Sequence, residues 1–324
     1  MPYGADAVTE RMRQRFNDVF ETDVTVFPVA TGTAANALSL AVLTPSHGAV
    51  LCHEKSHAWE DECGAPEFFS GAKLVPLDGA HSKLNPAILE TALGNFQIGF
   101  EHHVQPAVVT LSQATESGTI YSVDEIKAIS SLCKEHGLKL HMDGARFANA
   151  LETLGCSPAE ATWRAGVDVL SFGATKNGAI AAEAVVFFDA SDAVDFGYRR
   201  KRGGHLFSKM RFLSAQLEAY LCDDLWLQNA KHANAMAVRL AGELTTLPGA
   251  QLLHPVQANE LFVTLAAGVK EGLLADGFKF YSWVAGGPDC IRLVTAFNTS
   301  EQDITELIEA ARRYTVDPSS GTAA

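Results

Sequence analysis

Lys176 is the sole charged residue between Asp168 and Glu183, in the run LSFGATKNGAI. Surface lysines usually stand among polar neighbours; this one follows an apolar, strand-like stretch and precedes an Asn-Gly turn. At the end of a buried strand an amine can be desolvated, its pKa lowered, and it then serves as a nucleophile. A lysine on an exposed loop is the plainer alternative, so other segments must decide. In KLHMDGARFANA a strand ends in Asp143. An acid at the carboxyl end of a central parallel strand lies where open α/β sheets bind ligands, and it could keep a pyridine nitrogen protonated; it could also N-cap a helix from Ala145. In HEKSHAWEDECGAPEFF, His57 could stack on a flat ring and Glu62 could move protons, or both could be solvated loop residues. In ATGTAANA, Gly32 and Thr33 open a helix of small residues, a good phosphate cradle that lacks the Gly-Lys-Ser/Thr of a nucleotide P-loop.

The elements needed to place these residues are legible. VTVFPV, AVLC, KLVPLD, AVVTLS and KLHMD read as strands, alternating with helical patterns in TAANALSLAVL, PAILETAL, VDEIKAISSLCKEHG and FANALETLG. Such alternation predicts a mostly parallel sheet flanked by helices. Ser122 with Glu125 and Ser157 with Glu160 fit capping boxes at helix starts. After about Val185 two long helices follow, SKMRFLSAQLEAYLCDD and LQNAKHANAMAVRLAGELTTL, the second expected to join two domains. QLLHP, ELFVTLA, FKFYSWV and CIRLVTAF then suggest an antiparallel sheet, with a last helix from Ser300 to Arg313 and a tail, DPSSGTAA, expected to fray. The organisation read from this is a large domain over residues 1–228, with a short N-terminal helical arm, and a smaller C-terminal α+β domain over 229–324.

Composition narrows the class. The 324 residues, 47% hydrophobic, can bury a sizeable core. The formal net charge of -13, with one basic cluster at Arg199, Arg200, Lys201 and Arg202, argues against nucleic acid and anionic membrane as partners. Six cysteines without a CxxC pair read as reduced thiols of a cytoplasmic protein, with neither a disulfide framework nor a metal site. No run approaches membrane-spanning length, and the N-terminus has no apolar export segment.

Taken in order, the phosphate-type turn, the strand-end Asp143 and a lysine 33 positions later (176 minus 143) follow the arrangement of aspartate-aminotransferase-like enzymes of pyridoxal 5'-phosphate (PLP). ATGTAAN, HMDGARFANA and SFGATKNGA resemble the low-specificity L-threonine aldolases of the β-eliminating lyase group, a likeness running from near Tyr3 to about Leu307. The resemblance implies the PLP-dependent transferase fold, fold type I. It implies that Lys176 holds the cofactor covalently, that Asp143 pairs with the pyridine nitrogen, and that Gly32, Thr33 and Thr175 contact phosphate. His57 would stack on the ring, while Arg146 and Arg292 would grip the substrate carboxylate, a task suited to the guanidinium fork. The implied reaction is reversible retro-aldol cleavage of L-threonine, L-allo-threonine and other β-hydroxy-α-amino acids to glycine and an aldehyde, with His57 and Glu62 as proton movers. A homo-oligomer, dimer or tetramer, is implied as well, in which Arg211 reaches a phosphate across the interface.

Two departures accompany the likeness. Related enzymes carry a leading segment with a Ser-Asp pair whose serine helps bind the substrate carboxylate; MPYGADAV resembles the part that follows it. A start codon set too far downstream, a truncated chain and an absent anchor are the three readings. In TLSQATESGTIYS, Glu116 stands where some members have a histidine near the substrate hydroxyl, a form several relatives share. Glu116 could orient a water or be structural, and His102 and His103 could approach the aldehyde side. The rival functions are another PLP reaction such as β-elimination, and a catalytically impaired PLP-binding protein.

Overall fold

The computed structural model describes residues 1–315; the tail expected to fray, residues 317–324, lies outside them. Packing divides the chain into two units, Met1–Glu116 with Ile120–Gln228, and Ser117–Thr119 with the chain from Asn229 onward.

The first unit opens with α1 (Ala7–Phe20), capped by Asp6, whose carboxylate accepts the Thr9 N–H. Then come β1 (Thr25–Val29), α2 (Gly32–Leu43), β2 (Gly48–His53), α3 (His57–Glu60), α4 (Ala65–Ser70), β3 (Lys73–Leu77) and α5 (Pro86–Leu93). The chain continues through β4 (Gln105–Ser112), α6 (Val123–Glu135), β5 (Lys139–Gly144), α7 (Phe147–Leu154), β6 (Val169–Gly173), β7 (Glu183–Phe187), α8 (Phe196–Arg202) and α9 (Arg211–Leu221). Seven strands form one sheet in the order β1-β7-β6-β5-β4-β2-β3. Among the described strands of this sheet, β7 alone runs against the rest, pairing antiparallel with both β1 and β6. Its first residue, Glu183, is therefore opposite Val29 and Gly173, the last residues of its neighbours. The sheet is buried on both faces, so β2, β6 and β7 read as unbroken buried runs rather than alternating ones.

An aromatic cluster supports the sheet behind β6. Phe172 lies edge-on to Phe16 at 5.1 Å and is tilted 50° to Trp226 at 5.5 Å, with Phe20 and Phe147 closing the group. Burying each such ring contributes roughly 2–3 kcal/mol.

Helix α10 (Leu225–Leu244) carries the chain across Gln228. The second unit adds β8 (Gln251–Leu252), β9 (Glu260–Thr264), α11 (Val269–Ala275), β10 (Tyr281–Ser282), β11 (Cys290–Val294) and α12 (Glu301–Tyr314). Its sheet, in the order β10-β11-β9-β8, is antiparallel throughout, as its sequence pattern suggests. Ser117–Thr119 departs from the unbroken boundary at 228 because Gly118, with φ +72°, lies against β9: a Cβ there would stand 2.7 Å from the Glu260 carbonyl oxygen.

Some local expectations change. The Ser157–Glu160 box closes with both of its hydrogen bonds, but it opens a turn leading to a three-residue 3-10 helix (Trp163–Ala165), since Gly166 follows at φ +94°. The helix expected from Ser208 starts at Arg211, and FKFYSWV contributes only two strand residues. Asp143 does not cap α7, which begins at Phe147 after a non-capping Arg146. No helix among the described residues is long and apolar enough to cross a membrane.

Candidate active site

The carboxyl ends of the parallel strands converge on a cavity of about 420 Å³ lined by Ala30, Thr31, Gly32, Thr33, Asn36, His57, Asp143, Ala145, Thr175, Lys176, Ala181 and Glu183. Six of the residues singled out from sequence (Gly32, Thr33, His57, Asp143, Thr175 and Lys176) thus share one cavity, at the edge where an α/β sheet binds its ligand. β7 reaches the same edge with its first residue because it runs backwards.

The floor begins with α2. Thr31 caps it, its hydroxyl accepting the Ala34 N–H at 3.1 Å. The positive end of the helix dipole therefore meets the cavity. A Cβ on Gly32 would touch nothing within 4 Å, so glycine leaves space there for a ligand.

The polar wall is buried and connected. One amide nitrogen, Asn36 Nδ2, donates to Glu62 Oε1 at 2.8 Å and to Asp143 Oδ2 at 2.7 Å. Asp143 Oδ1 accepts the Ala145 N–H at 2.9 Å, which turns the chain after β5. His57 Nδ1 lies 2.9 Å from Glu62 Oε1, and since the carboxylate accepts, Nδ1 carries the proton. The hydrogen bond to Glu62 raises the His57 pKa against the opposing effect of burial. Glu62 is itself raised, by desolvation, although its bonds to His57 and Asn36 pull the other way.

Two further buried groups back this wall. Glu116 accepts the His57 N–H at 2.7 Å and the Ser112 hydroxyl at 2.7 Å, and burial followed by the charge of Asp143 pushes it up to about 7. His141, two residues before Asp143 on β5, is held by the hydroxyls of Thr110 at 2.8 Å and Ser171 at 2.9 Å. Burial lowers it to about 4, so it is neutral near pH 7.

The opposite wall is open. Ala174 is buried, but Thr175 and Lys176 are exposed. The expectation of a desolvated lysine is therefore corrected for the single chain: strand burial ends two residues before it, on a short 3-10 turn (Thr175–Asn177). That turn is nevertheless fixed. Asn177 donates to the Tyr220 hydroxyl at 2.6 Å and the Trp226 carbonyl at 2.8 Å, and Glu183 Oε2 accepts the Ala174 N–H at 2.7 Å. Gly173 allows the close approach of the neighbouring turn, since a Cβ there would stand 2.5 Å from the Ala145 carbonyl oxygen. Glu183 is raised by burial, with Thr175, Ala174 and the charge of Lys176 opposing.

The remaining candidates lie apart from the lining. Glu62 is one hydrogen bond behind His57. Arg146, half-buried, follows the cavity residue Ala145. Arg211 starts α9, where its charge acts on Asp6. Arg292, in the second unit, is held by Glu260 Oε2 through Nε at 3.0 Å and Nη2 at 2.6 Å. His102 and His103 border a separate cavity of about 1030 Å³ along β3 and α5. Asn36 and Glu183 escaped sequence reasoning; their signals were a polar residue inside a helix of small ones and the acid that closes the apolar run after Lys176. Among the described residues no group of three His, Cys, Asp or Glu side chains is placed to hold a metal ion.

Residues 1–268 match the family model described as beta-eliminating lyase. The chain belongs to that family. It is 49% identical to the low specificity L-threonine aldolase of Pseudomonas aeruginosa, over 96% of this chain and 89% of that one. A solved threonine aldolase from Leishmania major superposes with a TM-score of 0.90 at 30% identity, covering 97% of this chain and 92% of that one. An aspartate aminotransferase structure from Rhodobacter sphaeroides, at 18% identity and a TM-score of 0.71 over 97% of this chain and 83% of that one, shares the fold. The architecture is fold type I, the α/β fold of the aminotransferase-like enzymes.

Proposed function

We propose that this chain cleaves β-hydroxy-α-amino acids, L-threonine and L-allo-threonine among them, to glycine and an aldehyde. It is a PLP-dependent carbon–carbon lyase of the threonine aldolase type. The observation that carries this reading is the convergence of Lys176, Asp143, His57 and the α2 N-terminus on one cavity.

The donor set fits PLP. A helix N-terminus with Gly32 and Thr33 suits a phosphate, a buried carboxylate at Asp143 suits a protonated pyridine nitrogen, an imidazole face suits a flat ring, and the Lys176 amine suits an aldehyde. When bound, PLP withdraws electrons from a bond at the amino-acid Cα. The protein's own part is to place and protonate. Asp143 would hold the proton on the ring nitrogen, and its carboxylate is kept in position by Asn36 and the Ala145 N–H. His57 lines the cavity while Glu62 stands behind it, so the imidazole would take the β-hydroxyl proton and Glu62 would stabilise the resulting charge, a contribution of about 10²–10⁴-fold. Arg146 and Arg292 are the proposed carboxylate binders, and Glu260 engages Nε and Nη2 of Arg292.

A homo-oligomer is part of this reading. Exposed Tyr198 and Phe212, near the basic cluster and Arg211, support an interface there, with Arg211 serving the phosphate of a neighbouring copy. Six free cysteines, three of them buried, support a cytoplasmic location.

The test is an assay of the PLP-reconstituted chain with L-threonine, scored for glycine and acetaldehyde against pyruvate and ammonia. Acetaldehyde with glycine supports the aldol reading. Pyruvate and ammonia would assign β-elimination instead, and a bound chromophore with neither product would mark a binding protein.

A further inference from the structure

Asn36 lies one turn into α2, is 2% exposed, and lines the same cavity as Asp143. Both hydrogens of its amide are spent on carboxylates, at 2.8 Å and 2.7 Å. Flipping the amide would set its oxygen against two acids, so the network fixes its orientation. Asn36 Oδ1 and Glu62 Oε2 are buried and have no hydrogen-bond partner among the described residues, so the shared nitrogen is what joins Glu62 to Asp143.

We infer that Asn36 is a positioning residue: its amide nitrogen, shared between Glu62 and Asp143, holds them as two separate anions and so fixes the His57–Glu62 pair relative to Asp143. The inference deepens the reading of this cavity as a PLP site and rests on it. The physical need is plain. Two carboxylates in a low-dielectric wall repel, and without a donor between them they share a proton. A proton captured by Asp143 would cost the site the anion that faces the ring nitrogen; one captured by Glu62 would remove the acceptor that orients His57. Among the described residues, the other charged or titratable groups around this pair are His57 from α3, Glu116 from the segment after β4, His141 from β5, Lys176 from the turn after β6 and Glu183 from β7. None of these stands between the two acids as Asn36 does.

The first test needs no cofactor. Carboxyl carbons of Asp and Glu in the apo chain are labelled with ¹³C, and the resonances of Asp143 and Glu62 are assigned with Asp143→Asn and Glu62→Gln. In Asn36→Leu, which removes a hydrogen bond that lowers the Glu62 pKa, the Glu62 titration is expected to move up by about one pH unit or more. Asn36→Ser, smaller and still polar, is the second variant should Leu not fold, with a shift in the same direction. Unchanged carboxyl titrations in either folded variant would overturn the inference. In the PLP-loaded enzyme, Asn36→Leu is expected to lower kcat about tenfold or more with little change in KM for L-threonine, and to move the acidic limb of the pH profile upward. A wild-type chain that yields no acetaldehyde would sink the aldolase reading, while the apo titration would still decide the role of Asn36.

Discussion

The two walls of the cavity are built on opposite plans. The wall of Asn36, Glu62 and Asp143 is buried, with half-buried Glu116 behind it, and hydrogen bonds join these residues, through Asn36 and His57, across elements far apart in sequence. The wall of Thr175 and Lys176 is exposed, its turn held from behind by Asn177 and Glu183. The first is organised before any ligand arrives; the second holds its backbone in place and leaves the lysine side chain exposed. A site that must hold a ring rigidly yet exchange one covalent partner for another needs both plans.

Removing Lys176 breaks the open wall outright. Lys176→Ala should lower kcat by about 10³-fold or more and abolish the visible absorbance of bound cofactor, with the melting temperature nearly unchanged because the side chain is exposed. Retained absorbance would place the covalent link elsewhere. Asp143→Asn attacks the buried wall while keeping its shape: cofactor should stay bound, with turnover down about 10²-fold or more, checked by absorbance titration and steady-state kinetics.

Glu62→Gln sharpens the contrast through pH. The hydrogen bond to Glu62 raises the His57 pKa, so the neutral imidazole needed as a base is available only above that raised value. In the variant the acidic limb of kcat/KM should move to lower pH, with kcat down about 10-fold or more. A limb that stays put would assign the base to another group.

The smallest effect is expected from Glu116→Gln. The folded-state pKa of Glu116, about 7, stands above its ordinary value of 4.5, so the folded chain binds the extra proton and stability falls as pH rises between the two. Glutamine can still accept the His57 N–H and the Ser112 hydroxyl. The variant should therefore lose part of that decline and melt a few degrees higher at pH 8, read by thermal denaturation at pH 5 and pH 8.

The sequence marks the open wall better than the buried one. Lys176 and Thr175, like Gly32 and Thr33 of the floor, lie in short motifs whose local pattern reveals a strand end or a helix start. Strand and helix alternation likewise exposes the parallel sheet, although the reversal of β7 leaves no local trace, because EAVVF reads the same in either direction. Asn36 and Glu116 gain meaning only from partners 107 and 59 positions away, and periodicity carries no such information. The exposure of Lys176 was misjudged for a related reason: an apolar run shows that a strand is buried without showing where burial stops.

The reversed strand also bears on the order of assembly. Glu183 meets the Ala174 N–H across 9 positions, so the lysine turn closes as a short local loop, whereas the Asn36–Asp143 bond spans 107. Short loops close at a lower entropic cost than long ones. During refolding, protection of the Ala174 amide from exchange should precede that of the His57 amide, which Glu116 accepts across 59 positions, and the bridged carboxylates would be among the last parts of the site to form.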